Sequence, residues 1–293
     1  MKILITGSNG YIGSRLVTLL LEQGCELYCC VRNLSKVTPQ NNPKIHYIEV
    51  DFLKRETLEN IPNEIDVAYY LIHSMADSGK NFSYLETLSA LNFREAINST
   101  NTKQVIYLGG IANQKDLSPH LKSRAKVEEI LSEGDYSLTA IRAGIIIGKG
   151  GSSYQIIKDL VEKLPIMIAP KWLNTKTQPI ALRDVLYCLS AVKGDEKFYG
   201  KSFDVGGPDV LTYKEMLYGY SKAHSLRRLI ITVPVMTPRL SSYWLYFVTS
   251  TSYSLAVHLV ESMKIEVLCR DMSLINMLGI TPLTYEEALS EAR

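Results

Sequence analysis

The chain has 293 residues, 46% of them hydrophobic and 21% charged, with a mean hydropathy of +0.01. This is a well-packed globular composition, room for one large domain or two unequal ones, and it excludes a disordered chain and a disulfide miniprotein. Basic and acidic side chains number 32 and 30, leaving a net charge of +2, too near zero for a surface that tracks nucleic-acid phosphates.

The chain begins Met-Lys-Ile-Leu-Ile-Thr-Gly, a strand running straight into a glycine turn, with no room there for a signal peptide. Strands are predicted at 2–6, 26–31, 45–50, 67–72, 104–108 and 137–141, each an apolar or β-branched run. Helices fill the gaps: Leu16, Leu19 and Leu20 repeat at helical spacing before a stop at Gly24, and Leu85, Leu88, Leu91, Phe93 and Ile97 stripe a later helix. Alternating strands and helices predict a Rossmann-type, doubly wound parallel sheet covered on both faces, and the unbroken apolar run at 67–72 suits burial on both sides.

Beyond about Gly144 the regularity weakens as Pro165, Pro170, Pro179, Pro208, Pro234, Pro238 and Pro282 cut the chain into short elements. The expected division is a nucleotide-binding core at 1–145, followed at 146–293 by the remaining strands and a smaller α/β lobe. The stretch 243–260 is the most membrane-like, but Thr249, Ser250, Thr251, Ser252, Ser254 and His258 interrupt it, so it reads as helices of a core or lid, not an integral membrane segment. Five cysteines (Cys25, Cys29, Cys30, Cys188, Cys269) lack the repeated spacing of a zinc site, and the five histidines are scattered; the expectation is reduced thiols, a cytoplasmic location and no metal.

The strongest chemical signal is Gly7-Ser8-Asn9-Gly10-Tyr11-Ile12-Gly13 between the first strand and the first helix. Gly7 permits the tight turn, Gly10 clears the approach of a pyrophosphate to the backbone, and Gly13 lets the helix pack on the strand, while the helix N-terminus offers N–H groups to phosphate. The second strand ends at Arg32, where an NAD site usually carries an acid for the ribose hydroxyls; a guanidinium suits a 2′-phosphate and so favours NADP(H) over NAD(H), with Lys36 as a helper. Asp51, after the third strand, either accepts from an adenine amino group or caps the next turn.

Gly7, Gly10 and Gly13, Arg32, Val50-Asp51-Phe52, Ala68 to Met75, Tyr107-Leu108-Gly109-Gly110, Leu117 to Arg124, Arg142 to Gly148, Gln178 to Val185 and Asp204 to Thr212 resemble the atypical and extended short-chain dehydrogenase/reductase superfamily. The similar branch is bacterial and NAD(P)H-binding, related to NmrA-like and epimerase/dehydratase proteins. The resemblance implies a Ser or Thr ending the fifth strand and a Tyr-x-x-x-Lys pair on the next helix, the tyrosine exchanging the proton and the lysine holding the nicotinamide ribose. Here Gly109 or Gly110 stands in the serine position, and His120 and Arg124 in those of tyrosine and lysine. His120 can exchange a proton near neutrality or merely cap the helix, and Arg124 can hold ribose or phosphate but not act as a base. Lys126 faces elsewhere on the helix.

Leu71, His73 and Ser74 close the fourth strand on the ligand-binding side of such a sheet, with His73 either beside the nicotinamide or a structural hydrogen bonder. Arg142 after the sixth strand takes an anionic substrate or pairs with a carboxylate; Tyr154, Trp172 and Gln178 line the second lobe or pack within it. Two functions follow. One is an NADP(H)-dependent oxidoreductase of an unidentified small molecule, a carbonyl or quinone compound, with His120 or His73 near the hydride. The other is a non-catalytic NADP(H) sensor or assembly protein with a regulatory protein partner. Monomer and homodimer stay open.

Overall fold

The structure is a computed structural model and describes residues 1–73, 81–112, 114, 116–233, 248–249, 257 and 260–292. Ser74 and nearly all of 243–260 lie outside the described residues. The first elements in chain order are β1 (Lys2–Ile5), α1 (Tyr11–Glu22), β2 (Glu26–Val31), β3 (Ile45–Glu49), β4 (Val67–Tyr70), α2 (Phe82–Asn98), β5 (Gln104–Gly110), α3 (Pro119–Ser132) and β6 (Ser137–Ala143). There follow β7 (Ile146–Ile147), α4 (Ser152–Lys163), β8 (Ile166–Pro170), β9 (Lys176–Thr177), β10 (Ile180–Ala181), α5 (Leu182–Ala191), β11 (Lys201–Val205), β12 (Leu211–Thr212), α6 (Tyr213–Ala223), β13 (Leu229–Val233), α7 (Ser273–Leu278) and α8 (Tyr285–Glu291). The chain divides into two compact units, Met1–Gly109 with Ser123–Arg142 and Leu186–Phe203, and Gly110–Lys122 with Ala143–Val185 and Asp204–Arg293.

The first unit carries a seven-stranded sheet in the order β11-β6-β5-β4-β1-β2-β3. The pairs β1–β2, β2–β3, β1–β4 and β4–β5 are parallel, with Ile5 opposite both Cys29 and Tyr69. Strand order therefore reverses at β1, and the crevice beyond the carboxyl ends of β1 and β4 is where open parallel sheets take their ligands. All six predicted strands belong to this sheet. β4 stops at Tyr70, short of the expected Ile72, because the Leu71 N–H leaves the ladder and donates to Thr6 Oγ1 at 2.9 Å.

Helix α1 ends as its sequence requires. Gly24 takes φ +80°, its N–H donates to Leu21 O at 2.8 Å, and Cys25 N–H donates to Leu20 O at 3.1 Å, the paired bonds of a Schellman stop. On α2 the buried face is Phe82, Glu86, Ser89, Ala90, Phe93 and Ile97, rotated from the expected stripe: Leu85 and Leu88 are half-buried, and Leu91 is exposed. Phe93 packs edge-on against Tyr70 at 4.8 Å, within a core that also holds Leu4, Tyr107, Val127 and Leu131; each such fully buried side chain is worth about 1.5–3 kcal/mol.

Residues from late in the chain complete this unit. Buried Gln104 donates from Nε2 to Thr139 Oγ1 at 2.8 Å and to Val192 O at 3.0 Å, and its Oε1 accepts from Gly194 N–H at 2.6 Å. Tyr69 donates to Leu189 O at 2.8 Å, and Thr139 to Phe198 O at 3.0 Å.

In the second unit α4, α6 and α8 enclose an aromatic core. Tyr154 meets Tyr220 edge-on at 5.9 Å, and Trp172 meets Tyr213 at 6.2 Å. Thr212 with Glu215 and Thr284 with Glu287 form capping boxes at the starts of α6 and α8. β8 and β13 pair in parallel with Ile166 opposite Leu229 and Ile168 opposite Ile231; these four side chains share the exposed face, while Met167, Ala169 and Ile230 are buried on the other. Ile168→Thr should therefore change urea-unfolding stability by less than about 0.5 kcal/mol, the range for surface positions. A loss above about 2 kcal/mol would show that this face is covered in solution.

Candidate functional site

The glycine turn joins β1 to α1 at the sheet's reversal point. Gly7 has φ +63°, and a Cβ there would meet Leu71 O at 3.0 Å, so the turn lies against the end of β4. A Cβ on Gly13 would fall 2.1 Å from Gly7 O and 3.0 Å from Ser8 Cα; on Gly10 it would fall 3.1 Å from Gly7 O. Ser8 is buried and donates to Cys30 O at 3.0 Å, pinning the turn to β2, while Asn9 and Gly10 are exposed and Ile12 is half-buried.

Among the described residues no side chain caps α1, whose Ncap is Gly10. Its first-turn N–H groups and the positive end of its dipole thus face an open backbone cradle, which suits a phosphate. Beside it the Tyr11 hydroxyl is buried with no hydrogen-bond partner among the described residues. Burial pushes its pKa up to about 12, with Arg15 opposing, so it remains a donor; a buried donor without a protein partner is where a ligand or water acceptor is expected. The Arg15 guanidinium lies 4.6 Å over the Tyr11 ring and donates to Tyr11 O at 2.8 Å, fixing the ring.

Arg32 and Lys36 are exposed just beyond β2, and Asp51 follows the adjacent β3, where Val50 N–H donates to Val31 O at 2.9 Å. Asp51 Oδ1 accepts from Leu53 N–H at 3.1 Å, so it caps the turn that follows; Asn33 does the same for Ser35 at 2.8 Å.

At the end of β4 the structure assembles a cluster around Glu86. This carboxylate, 2% exposed, contacts His73 Nδ1 at 2.8 Å, accepts from Ser123 Oγ at 2.6 Å, and lies 4.0 Å from the Arg124 guanidinium. Burial alone would raise its pKa. The His73 bond, the Arg124 charge and the Ser123 bond outweigh that and hold it down at about 2. His73 keeps 36% of its side chain exposed, and its pKa is lowered, by burial first and by Arg124, against the opposing Glu86 bond. An ionised carboxylate only accepts, so Nδ1 carries the proton in this pair. Arg124 also donates to Ile72 O at 3.2 Å and to Leu108 O, lies 4.8 Å over the Tyr107 ring, and through its own carbonyl accepts from Tyr107 Oη at 3.0 Å.

The other candidates are held differently. His120 is half-buried at the second position of α3, whose N-cap is Ser118, accepting from Leu121 N–H at 3.2 Å; His120 is thus not the cap. Arg142 forks onto Glu128 at 2.8 and 2.6 Å, and Ser202 donates to the same carboxylate at 2.7 Å, which is the carboxylate-pairing alternative. Tyr154 and Trp172 are buried in the second unit's core. Gln178 is spent on Gly207 O at 2.8 Å and Cys269 N–H at 3.0 Å. Lys126 is exposed and pairs with Glu129 at 2.9 Å. Glu86 and Ser123 were not singled out from the sequence, although Glu86 stands in register with Phe82, Ala90 and Phe93, an acid inside an apolar stripe. Among the described residues no three His, Cys, Asp or Glu side chains converge as metal ligands, and no helix is long and apolar enough to cross a membrane.

Comparison with curated proteins finds no significant match. Among solved structures, the chain is similar to a nucleoside-diphosphate-sugar epimerase from Staphylococcus aureus (TM-score 0.79, 17% identity, 99% of this chain and 100% of that one). It is also similar to a triphenylmethane reductase from Citrobacter complexed with NADP(H) (0.79, 13%, 100% of both). A third is the NADPH-dependent quinone oxidoreductase of Escherichia coli complexed with NADPH (0.77, 16%, 98% of both). Residues 3–139, which include the glycine turn and the Glu86 cluster, match the model of the NAD dependent epimerase/dehydratase family.

Proposed function

We propose that this protein is an NADP(H)-dependent oxidoreductase of a small carbonyl or quinone compound. The observation that carries the reading is the backbone cradle at Gly7, Gly10 and Gly13, open at the reversal point of the sheet and continuous with the strand end at Leu71 and His73. In this reading Gly7 to Gly13 hold the pyrophosphate, Ser8 and Asn9 shape the turn, and Tyr11 and Ile12 flank the cofactor. Arg32 binds the 2′-phosphate, Asp51 lies near adenine, and Leu71 and His73 face the nicotinamide. Bound there, the cofactor supplies hydride. Arg124 acts from behind this surface, holding the ends of β4 and β5 together through Ile72 and Leu108. The similarity in fold to two NADPH-linked reductases supports this reading. Five free cysteines fit a reduced cytoplasmic compartment.

A second reading, a binder without turnover, draws on Gly109. A Cβ there would meet the Tyr107 ring at 2.8 Å, so a serine could not be restored without moving a buried side chain. Titration with NADPH and NADH, then absorbance at the NADPH band with aldehydes, ketones and quinones, decides between them. Substrate-dependent oxidation supports the reductase; binding without oxidation over the panel supports the sensor. Arg32→Asp should weaken NADPH about 10- to 100-fold, the value of a charge-assisted contact, and NADH by less than about threefold. Equal losses for both would sink the 2′-phosphate assignment.

A further inference from the structure

Parallel strands are ordinarily covered on both faces, and the β8–β13 pair of the second unit is covered on one. Met167, Ala169 and Ile230 on its inner face belong to the aromatic core. The outer face presents Ile166 and Ile168 from β8 opposite Leu229 and Ile231 from β13, exposed to 59%, 55%, 52% and 46%. The register makes these two directly facing pairs, on strands that run about 4.8 Å apart. Single exposed leucines are ordinary on a protein surface, but a contiguous block of branched aliphatic side chains marks a surface that meets something apolar. A sheet face turned only to water would carry polar residues at all four positions.

Positive charge brackets this block. Lys163, Arg227 and Arg228 precede β8 and β13 at one end, where Leu229 N–H donates to Pro165 O at 3.1 Å, and Lys171 follows β8 at the other. Arg228 donates to the carbonyl oxygens of Val161, Glu162 and Arg227, neutral acceptors that leave its charge uncompensated. Arg227 and Lys171 are exposed. Lys163 pairs with Asp159 at 3.3 Å, and the exposed Glu162 beside it accepts from the Tyr220 hydroxyl at 2.8 Å. The face therefore complements an apolar surface that carries negative charge. A second copy of this chain would set the same cations against one another across a two-fold axis. The sequence of 234–247, which continues from β13, contains Arg239 and no acidic residue, so it offers no countercharge. Protein partners favour aromatic anchors, and this block has none. Anionic lipid supplies both components, acyl chains for the aliphatic residues and phosphates for the basic rim.

We propose that the outer face of β8 and β13 docks peripherally on an anionic lipid bilayer. Ile166, Ile168, Leu229 and Ile231 enter the boundary between headgroups and acyl chains, and Lys163, Arg227, Arg228 and Lys171 meet the phosphates. The contact is shallow and reversible, because four side chains bury far less apolar surface than a spanning helix. It does not depend on the oxidoreductase reading, since all of these residues belong to the second unit and the glycine turn to the first.

Co-sedimentation of the full chain with vesicles tests the proposal. With phosphatidylcholine vesicles holding about 30% phosphatidylglycerol, at roughly 20 mM salt, the protein should pellet with the lipid. The bound fraction should fall severalfold on neutral phosphatidylcholine, or at about 0.5 M salt, where charges are screened within a few ångströms. Arg227→Gln combined with Lys171→Gln should weaken partitioning about 10- to 30-fold, at roughly fivefold per cation. Ile168→Thr combined with Ile231→Thr should weaken it by about 10-fold or more while leaving the lipid-free urea midpoint in place. Wild-type protein that stays in the supernatant with anionic vesicles, or a double threonine variant that binds within about threefold of wild type, would overturn the proposal. A wild-type dimer in sedimentation equilibrium that the threonine substitutions convert to monomer would overturn it in favour of a second copy. A urea midpoint lowered by about 0.5 M or more in that variant would overturn it in favour of a segment of this chain.

Discussion

Gly13→Ala should abolish measurable NADPH binding, a loss of more than about 100-fold, and should lower stability by about 1–3 kcal/mol, the cost of overpacking a closed site. Its Cβ would fall 2.1 Å from Gly7 O, with Gly7 C at 2.9 Å and Ser8 Cα at 3.0 Å. All three are backbone atoms of the turn itself, so no side chain can swing aside. Relief requires α1 to retreat from β1, and that retreat removes the first-turn N–H groups from the phosphate position. Gly10→Ala is the comparison: at 3.1 Å from Gly7 O it needs only a small adjustment. It should cost less stability while still obstructing the ligand. Calorimetric titration and urea unfolding separate the two effects. NADPH affinity within tenfold of wild type for Gly13→Ala would refute the cradle.

Glu86→Ala should destabilise the protein by about 3–5 kcal/mol in urea unfolding at neutral pH, the cost of leaving one partner of a buried charged network uncompensated. Arg124 would keep its two carbonyl bonds but lose its buried anion, and Ser123 and His73 Nδ1 would each lose an acceptor. The acid limb gives a second measure. Glu86 has a folded-state pKa held at about 2, below its ordinary 4.5, so its contribution is present above about pH 4.5 and disappears as pH falls toward 2. By linkage that limb is worth roughly 3 kcal/mol in wild type, and it should be absent from the variant. A neutral-pH loss below about 1 kcal/mol would mean that the cluster is not closed as described.

Much of this architecture is visible in the amino-acid pattern because burial on both faces of a parallel sheet demands uninterrupted apolar runs, as at Val67 to Tyr70. The glycine turn is equally visible, since close backbone approach leaves glycine as the residue that fits position 13. The catalytic candidates behave differently. The Glu86 cluster depends on α2 being rotated so that Phe82 and Glu86 face inward while Leu91 points out. Hydrophobicity alone places the stripe on the leucines. Arg142 and Glu128 lie on different elements, β6 and α3, and only the packed fold reveals that their charges cancel. His120 and Arg124 were read from spacing against a Tyr-x-x-x-Lys pattern. The structure joins Arg124 to His73 through Glu86, a link between β4, α2 and α3 that no local spacing encodes.

The way residues 186–203 finish the first unit sets the order in which the protein can mature on the ribosome. A nascent chain that has emerged only to residue 145 has made β1 to β6, but β6 is then a bare edge awaiting β11. Gln104 still lacks Val192 and Gly194, and Tyr69 still lacks Leu189. The family-matched stretch is therefore not a severable module. Expressed alone it would present an unsatisfied buried amide and an open strand, the features that invite aggregation. The glycine turn, encoded in the first 13 residues, belongs to a unit whose last segment ends at Phe203, about two-thirds of the way along the polypeptide.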